Sequence, residues 1–183
     1  MQNTSYQELL EEEARAEARR RHPLRLLLIF LTAFFILQYG WEMSRGSLIE
    51  RAVIDHATVV PAAWLIDSLW PGQEIHAEGH RLVSPHGRLN VLNGCEGLET
   101  LFLLVAAVLA YPFPWRVRVL GLVLGTLLVY GLNQTRLVLL WHAFLQDRAF
   151  FGLLHGTVLP LAMVALCLLG FLWFVARHDA RPA

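Results

Sequence analysis

Apolar residues in this chain come in blocks long enough to cross a bilayer, separated by polar stretches that hold the charge. A spanning helix needs roughly 20 mostly apolar residues, with about 17 tolerated. The first block covers residues 24–41 and closes on Tyr39 and Trp41, aromatic side chains that anchor a helix end at a membrane interface. A second runs from about Leu98 to Pro112. A third starts near Val117, stays apolar to Leu132 and continues past a polar break as "LVLLWHAFL". A fourth covers about Phe151–Val175. The pattern predicts an all-α integral membrane protein with about four transmembrane helices.

The segments between the blocks predict smaller elements. Residues 1–23 hold the charged run "YQELLEEEARAEARRRHP", where Glu11/Arg15 and Glu17/Arg21 stand at i,i+4, the spacing of a solvated helix. No small-residue cleavage site follows the first block, so the expectation is a retained helix and not a cleavable signal peptide. In residues 42–97, Ile49, Val53, Ala57 and Val60 recur at helical intervals beside Glu50, Arg51 and Asp55. That suits an amphipathic helix on the outer surface, with a second half apolar enough to dip into the bilayer. In "QEIHAEGHRLVSPHGRLNVL", alternation around the turn residues "SPHG" predicts a small β-hairpin. Residues 98–176 then form a three-span core, and 177–183 a tail.

Arginines orient the spans. Arg15, Arg19, Arg20, Arg21 and Arg25 precede the first span, Arg116 and Arg118 sit between the second and third, and Arg177 and Arg181 follow the fourth. With four spans all of these fall on one side, which the positive-inside rule assigns to the cytoplasm, together with both termini. Composition agrees: the chain is 56% hydrophobic, and its formal net charge of zero gives no basis for a nucleic-acid partner. All 15 basic residues other than histidine are arginine, a choice membrane physics does not require.

This topology turns attention to polar residues where polarity is costly. Arg136 lies in "YGLNQTRLVLLW", past the outer end of the third span, and ionisable residues at membrane depth face the protein interior and mark function. Asn133, three residues earlier on the same helical face, is placed to orient its guanidinium. His155 lies in "FFGLLHGTVLPL", in the first turns of the fourth span. Cys95 follows Asn93 and stands between Gly94 and Gly97 at the outer end of the second span. There a helix N-terminus favours the thiolate. Cys95, Arg136 and His155 thus come from three spans at one membrane level, a nucleophile, an acid/base and an oxyanion stabiliser. Glu99 shares a helical face with Cys95 and is a candidate partner for Arg136. Glu96 sits beside the thiol and opposes thiolate formation unless it turns away or is paired. Cys167, twelve residues after His155, lies about 18 Å deeper, so it reads as packing and no disulfide with Cys95 is expected. His76, His80 and His86 cluster in the hairpin without a ligand quartet, and neither metal nor cofactor is expected.

These residues carry a resemblance. "NGCEG" before one span, "NQTR" at the outer end of the next and "LLHG" entering the last resemble the Cys, Arg and His signatures of the exosortase/archaeosortase family. The run "NGCEGLE…AAVLAYPFPWR" is most like the compact exosortase H members. The similarity covers roughly residues 90–175. It implies a membrane cysteine transpeptidase of bacterial inner membranes, acting at the outer face on exported proteins that end in a short motif, a hydrophobic helix and a basic end. It implies Cys95 as nucleophile, His155 as acid/base and Arg136 as transition-state stabiliser, with an amine acceptor resolving a thioacyl intermediate. The chain departs from the commoner pattern of about eight spans, and it has Glu96 where a small residue often follows the cysteine. Two other classes stay open on the residues alone: a protease that activates water through Glu96 or Glu99 with His155, and a non-enzymatic membrane assembly factor in which Arg136 joins helices.

Overall fold

A computed structural model describes residues 2–91 and 94–178, apart from the side chains of residues 2–5 and 17. Helix α1 (Gln2–Arg20) holds the charged N-terminal stretch, with Arg15 donating to Glu11 at 2.8 Å. Helix α2 (Pro23–Met43) opens on a proline, tolerated in a first turn because that N–H has no helical partner anyway. None of its residues is buried by the rest of the chain, as suits a helix solvated by lipid. Helix α3 (Leu48–Leu69) is capped by Ser47, whose hydroxyl accepts from the Ile49 amide at 3.1 Å.

After α3 come strands β1 (His76–Glu78), β2 (Arg81–Ser84) and β3 (Gly87–Asn90), paired antiparallel in that order. The β2–β3 pair is the hairpin expected around "SPHG"; β1 adds a third strand. Ala77, Leu82 and Leu89 are cross-strand partners, so one face of the sheet packs inward. Helices α4 (Leu98–Ala110), α5 (Trp115–Gln146) and α6 (Arg148–His178) complete the chain.

Among the described residues, α2, α3, α5 and α6 are long and apolar enough to cross a membrane. The chain is a multi-pass membrane protein. α3, read from sequence as a surface helix, is one continuous helix of 22 residues. α4 has 13 residues and therefore a length of about 20 Å, short of a hydrocarbon core of about 30 Å. It lies centrally, packed against α2, α5 and α6.

α5 organises the rest. Its 32 residues extend about 48 Å, more than a bilayer's hydrocarbon thickness. Its first half packs with α4 and α6 around Leu104, Val129, Met163 and Cys167. Its last third enters a separate core with α3 and the sheet, where Val59, Ile66, Leu82, Leu137 and Trp141 are almost wholly buried. Trp141 is held there by its indole N–H, which donates to Gln73. At the opposite, arginine-bearing end, the Tyr111 hydroxyl accepts from Arg21 and its carbonyl from Arg118, each at 3.4 Å.

Two prolines shape the helices that flank the second core. α3 contains a π-helical segment at Ala52–Val59 and α6 another at Leu154–Val158. The Val60 amide donates to Asp55 and the Leu159 amide to Leu154, each reaching five residues back, and each is followed directly by a proline, Pro61 or Pro160. Proline lacks the N–H for the ordinary bond, and its ring crowds the carbonyl four residues back. The turn ahead of each proline widens instead of breaking.

Within the bundle the helices approach closely where side chains are small, as membrane helices do. A Cβ on Gly121 of α5 would lie 2.9 Å from the Phe174 ring of α6, and one on Gly170 of α6 would lie 2.9 Å from Leu128 of α5. Gly121→Leu is expected to force α5 and α6 apart, destabilising the protein by about 1–3 kcal/mol. A thermal melt in detergent reads this as a clear drop in Tm; an unchanged Tm would contradict the close crossing.

Candidate active site

The sheet hands the chain to the site. The Val91 amide donates to the His80 carbonyl at 2.8 Å, closing the sheet. Asn93, expected to support the thiol, lies outside the described residues. The chain then turns through Gly94, Cys95, Glu96 and Gly97 into α4. Gly94 (φ +90°) and Gly97 (φ +77°) both adopt the left-handed backbone that costs a side-chain-bearing residue roughly 1 kcal/mol or more. That is the structural reason for glycines on both sides of the cysteine. Gly97 is also the N-cap of α4 and has no side chain with which to cap its first amides.

α5 grips both glycines. Arg136, only 6% exposed, donates from Nη1 to the Gly94 carbonyl at 3.0 Å. Asn133, one turn earlier, fills the space beside Gly97, where a Cβ would fall 2.9 Å from its amide carbon and oxygen. The sequence suggests that Asn133 orients the guanidinium; in the structure its Oδ1 is buried without a hydrogen-bond partner, and its contact is with the Gly97 backbone. Residues at i and i+3 of one helix therefore hold the two ends of a four-residue loop. Arg136 keeps one donor, Nε, buried and unused.

The histidine arrives from α6. His155 lies within the π-helical segment, whose extra residue per turn resets the direction in which its ring leaves the helix. The ring stacks flat on Phe151, with centroids 5.4 Å apart and planes within 4°. Phe151 in turn packs edge-on to Phe144. Held this way, Nδ1 of His155 stands 3.7 Å from the Cys95 sulfur, within hydrogen-bonding reach for a large sulfur atom. The Arg136 guanidinium, bonded to the Gly94 carbonyl, is held at the residue that precedes the thiol. A thiol, an imidazole able to exchange its proton, a buried cation and a helix N-terminus thus share one site.

The remaining candidates separate. Glu96 is buried at 8% exposure, and its Oε2 is shielded from solvent with no hydrogen-bond partner among the described residues. Glu99 is exposed in the first turn of α4, where it complements the helix dipole, while Arg136 is engaged by Gly94. Cys167 is buried among Leu104, Val129 and Met163, and the two cysteines form no disulfide. His142 bonds its own helix through Val138 and packs on Trp70. Phe151 and the π turn were not singled out from sequence, although Pro160 and the spacing of Phe151 and His155 at i,i+4 carry the signal.

A family model described as transmembrane exosortase matches residues 17–173, which is most of the chain and includes the thiol loop, Arg136 and His155. The chain belongs to this family. It is similar to Archaeosortase A of Natronomonas pharaonis, 27% identical over 174 residues, covering 81% of this chain and 55% of the relative. This exosortase-family chain thus spans about half the length of the curated relative it matches. No solved structure matches it.

The grip of α5 on the loop has a measurable consequence. Gly97→Ala is expected to destabilise this family member by about 1–3 kcal/mol, through both the left-handed backbone and the collision with Asn133. In a double-mutant cycle, Asn133→Ala should recover part of that loss, because only the collision is relieved. Purely additive changes in thermal stability would show that Asn133 does not seat against Gly97.

Proposed function

We propose that this protein is a membrane cysteine transpeptidase that cleaves C-terminal sorting tails of exported proteins and transfers the shortened protein to an acceptor. The observation that carries the reading is the Cys95 sulfur 3.7 Å from Nδ1 of His155, at the N-terminus of α4 and beside the buried Arg136. Membership of the transmembrane exosortase family supports it. The arginine-bearing end is the cytoplasmic end in this reading, both termini are cytoplasmic, and the thiol works on the outer face of the bacterial inner membrane.

In the mechanism, His155 takes the thiol proton as Cys95 attacks the carbonyl carbon of the scissile peptide. The oxyanion that develops is stabilised by Arg136, whose Nε is a buried donor with no partner, and by amides at the α4 N-terminus. His155 then gives its proton to the departing amine of the tail, leaving a thioester on Cys95. An amine acceptor attacks that thioester and His155 reverses its role. A substrate's own hydrophobic helix beside the bundle brings its outer flank to the level of the thiol. The bond from Arg136 to Gly94 also keeps Cys95 in place.

Co-expression with a tail-bearing substrate tests the assignment. Cys95→Ala is expected to abolish tail removal, and His155→Ala to lower it by about 100-fold or more. Arg136→Ala should cost at least a comparable factor, combining a lost oxyanion donor with a loosened loop. Intact-mass analysis of wild type should catch an acyl adduct on Cys95. Normal tail removal by Cys95→Ala would overturn the mechanism.

A further inference from the structure

A thiol, an imidazole and a guanidinium account for acylation and leave Glu96 without a task. Yet Glu96 is next to the nucleophile, more than nine-tenths buried, with Oε2 shielded from solvent and bonded to nothing. A carboxylate oxygen removed from water with no donor to replace it is unfavourable. Nor is it free to drift, because the loop that carries it is fixed by Arg136 at Gly94 and by Asn133 against Gly97. A second buried acceptor without a partner, Oδ1 of Asn133, occupies the space where a Cβ on Gly97, the residue following Glu96, would fall. Two unpaired acceptors flanking one short loop match a ligand rich in N–H donors, and a protonated primary amine brings three.

We propose that Glu96, assisted by Asn133, receives the ammonium group of the acceptor and takes its first proton, so that the thioester is resolved by an amine in preference to water. The assignment rests on the transpeptidase reading above. The acceptor arrives as R–NH3+ and gives one proton to the Glu96 carboxylate. The neutral nitrogen attacks the thioester carbon; a carbon–nitrogen bond forms and the carbon–sulfur bond breaks. A second proton leaves the nitrogen through His155 and restores the Cys95 thiol. The third stays on the amide product, and Glu96 returns its proton to the outer aqueous phase. No oxidant or further reactant is required.

Two small nucleophiles separate this role from a structural one. Ethylamine is an ammonium ion at neutral pH, whereas hydroxylamine is uncharged there and needs no carboxylate to receive it. The full-length protein in detergent, supplied with a tail-bearing substrate, is offered each in turn, and amide, hydroxamate and hydrolysis products are quantified by mass spectrometry. Glu96→Gln is expected to lower ethylamide yield relative to hydrolysis by about 100-fold while changing hydroxamate yield by less than about threefold. Glu96→Asp, which keeps the charge, should retain part of the ethylamine reaction. Equal loss with both nucleophiles would mean that Glu96 only shapes the loop, and no loss with either would mean that it has no part in acceptor choice; both overturn the assignment. Absence of hydroxamate from the wild type would instead overturn the thioacyl reading, and the role of Glu96 with it.

Discussion

The bond from the buried Arg136 guanidinium to the Gly94 carbonyl is the constraint on which the site depends. A cation withdrawn from water is tolerated only where its geometry is fixed and acceptors are supplied. Here the acceptor is a main-chain carbonyl in a loop that must turn through two left-handed residues. The bond therefore fixes the height of α5 against the loop, and with it the position of Asn133 one turn earlier, against Gly97. Cys95 is held between these two attachment points.

The site lies where two kinds of packing meet. The first half of α5 belongs to a bundle of small-residue crossings and aliphatic contacts, and the last third belongs to a compact core shared with α3 and a three-stranded sheet. Cys95 sits at the edge of the second core and its helix α4 runs into the first. Charges and dipoles act more strongly at such a boundary than in open water, because the surroundings screen them less. Proline placement completes the arrangement: Pro160 widens the turn that bears His155, and the Phe151 ring fixes the imidazole plane.

Much of this was legible in the residues. Blocks of Leu, Val and Phe reveal spans because a helix must satisfy its own backbone in lipid. Cys95, Arg136 and His155 stood out as reactive or charged groups at one expected level, and the structure brings the thiol and imidazole together with the guanidinium beside the loop. Less legible were the span-length α3, whose buried face is paired with Trp141 and Leu137 far along the chain, and β1, whose Ala77 matters only opposite Leu82. The seat of Asn133 was misread because i,i+3 spacing shows which face a residue shares and not what faces it from another segment.

The sequence by itself determined the membrane class and the placement of most helices, and it singled out Cys95, Arg136 and His155 as candidates, since transfer energies and backbone preferences act residue by residue. Only the tertiary structure decided that α5 clamps the thiol loop at both glycines, that a widened turn aims His155 at the sulfur, and that Glu96 is buried with an oxygen unsatisfied. Those outcomes depend on distances between segments 40 to 60 residues apart in the chain, and such distances are set by how whole helices pack.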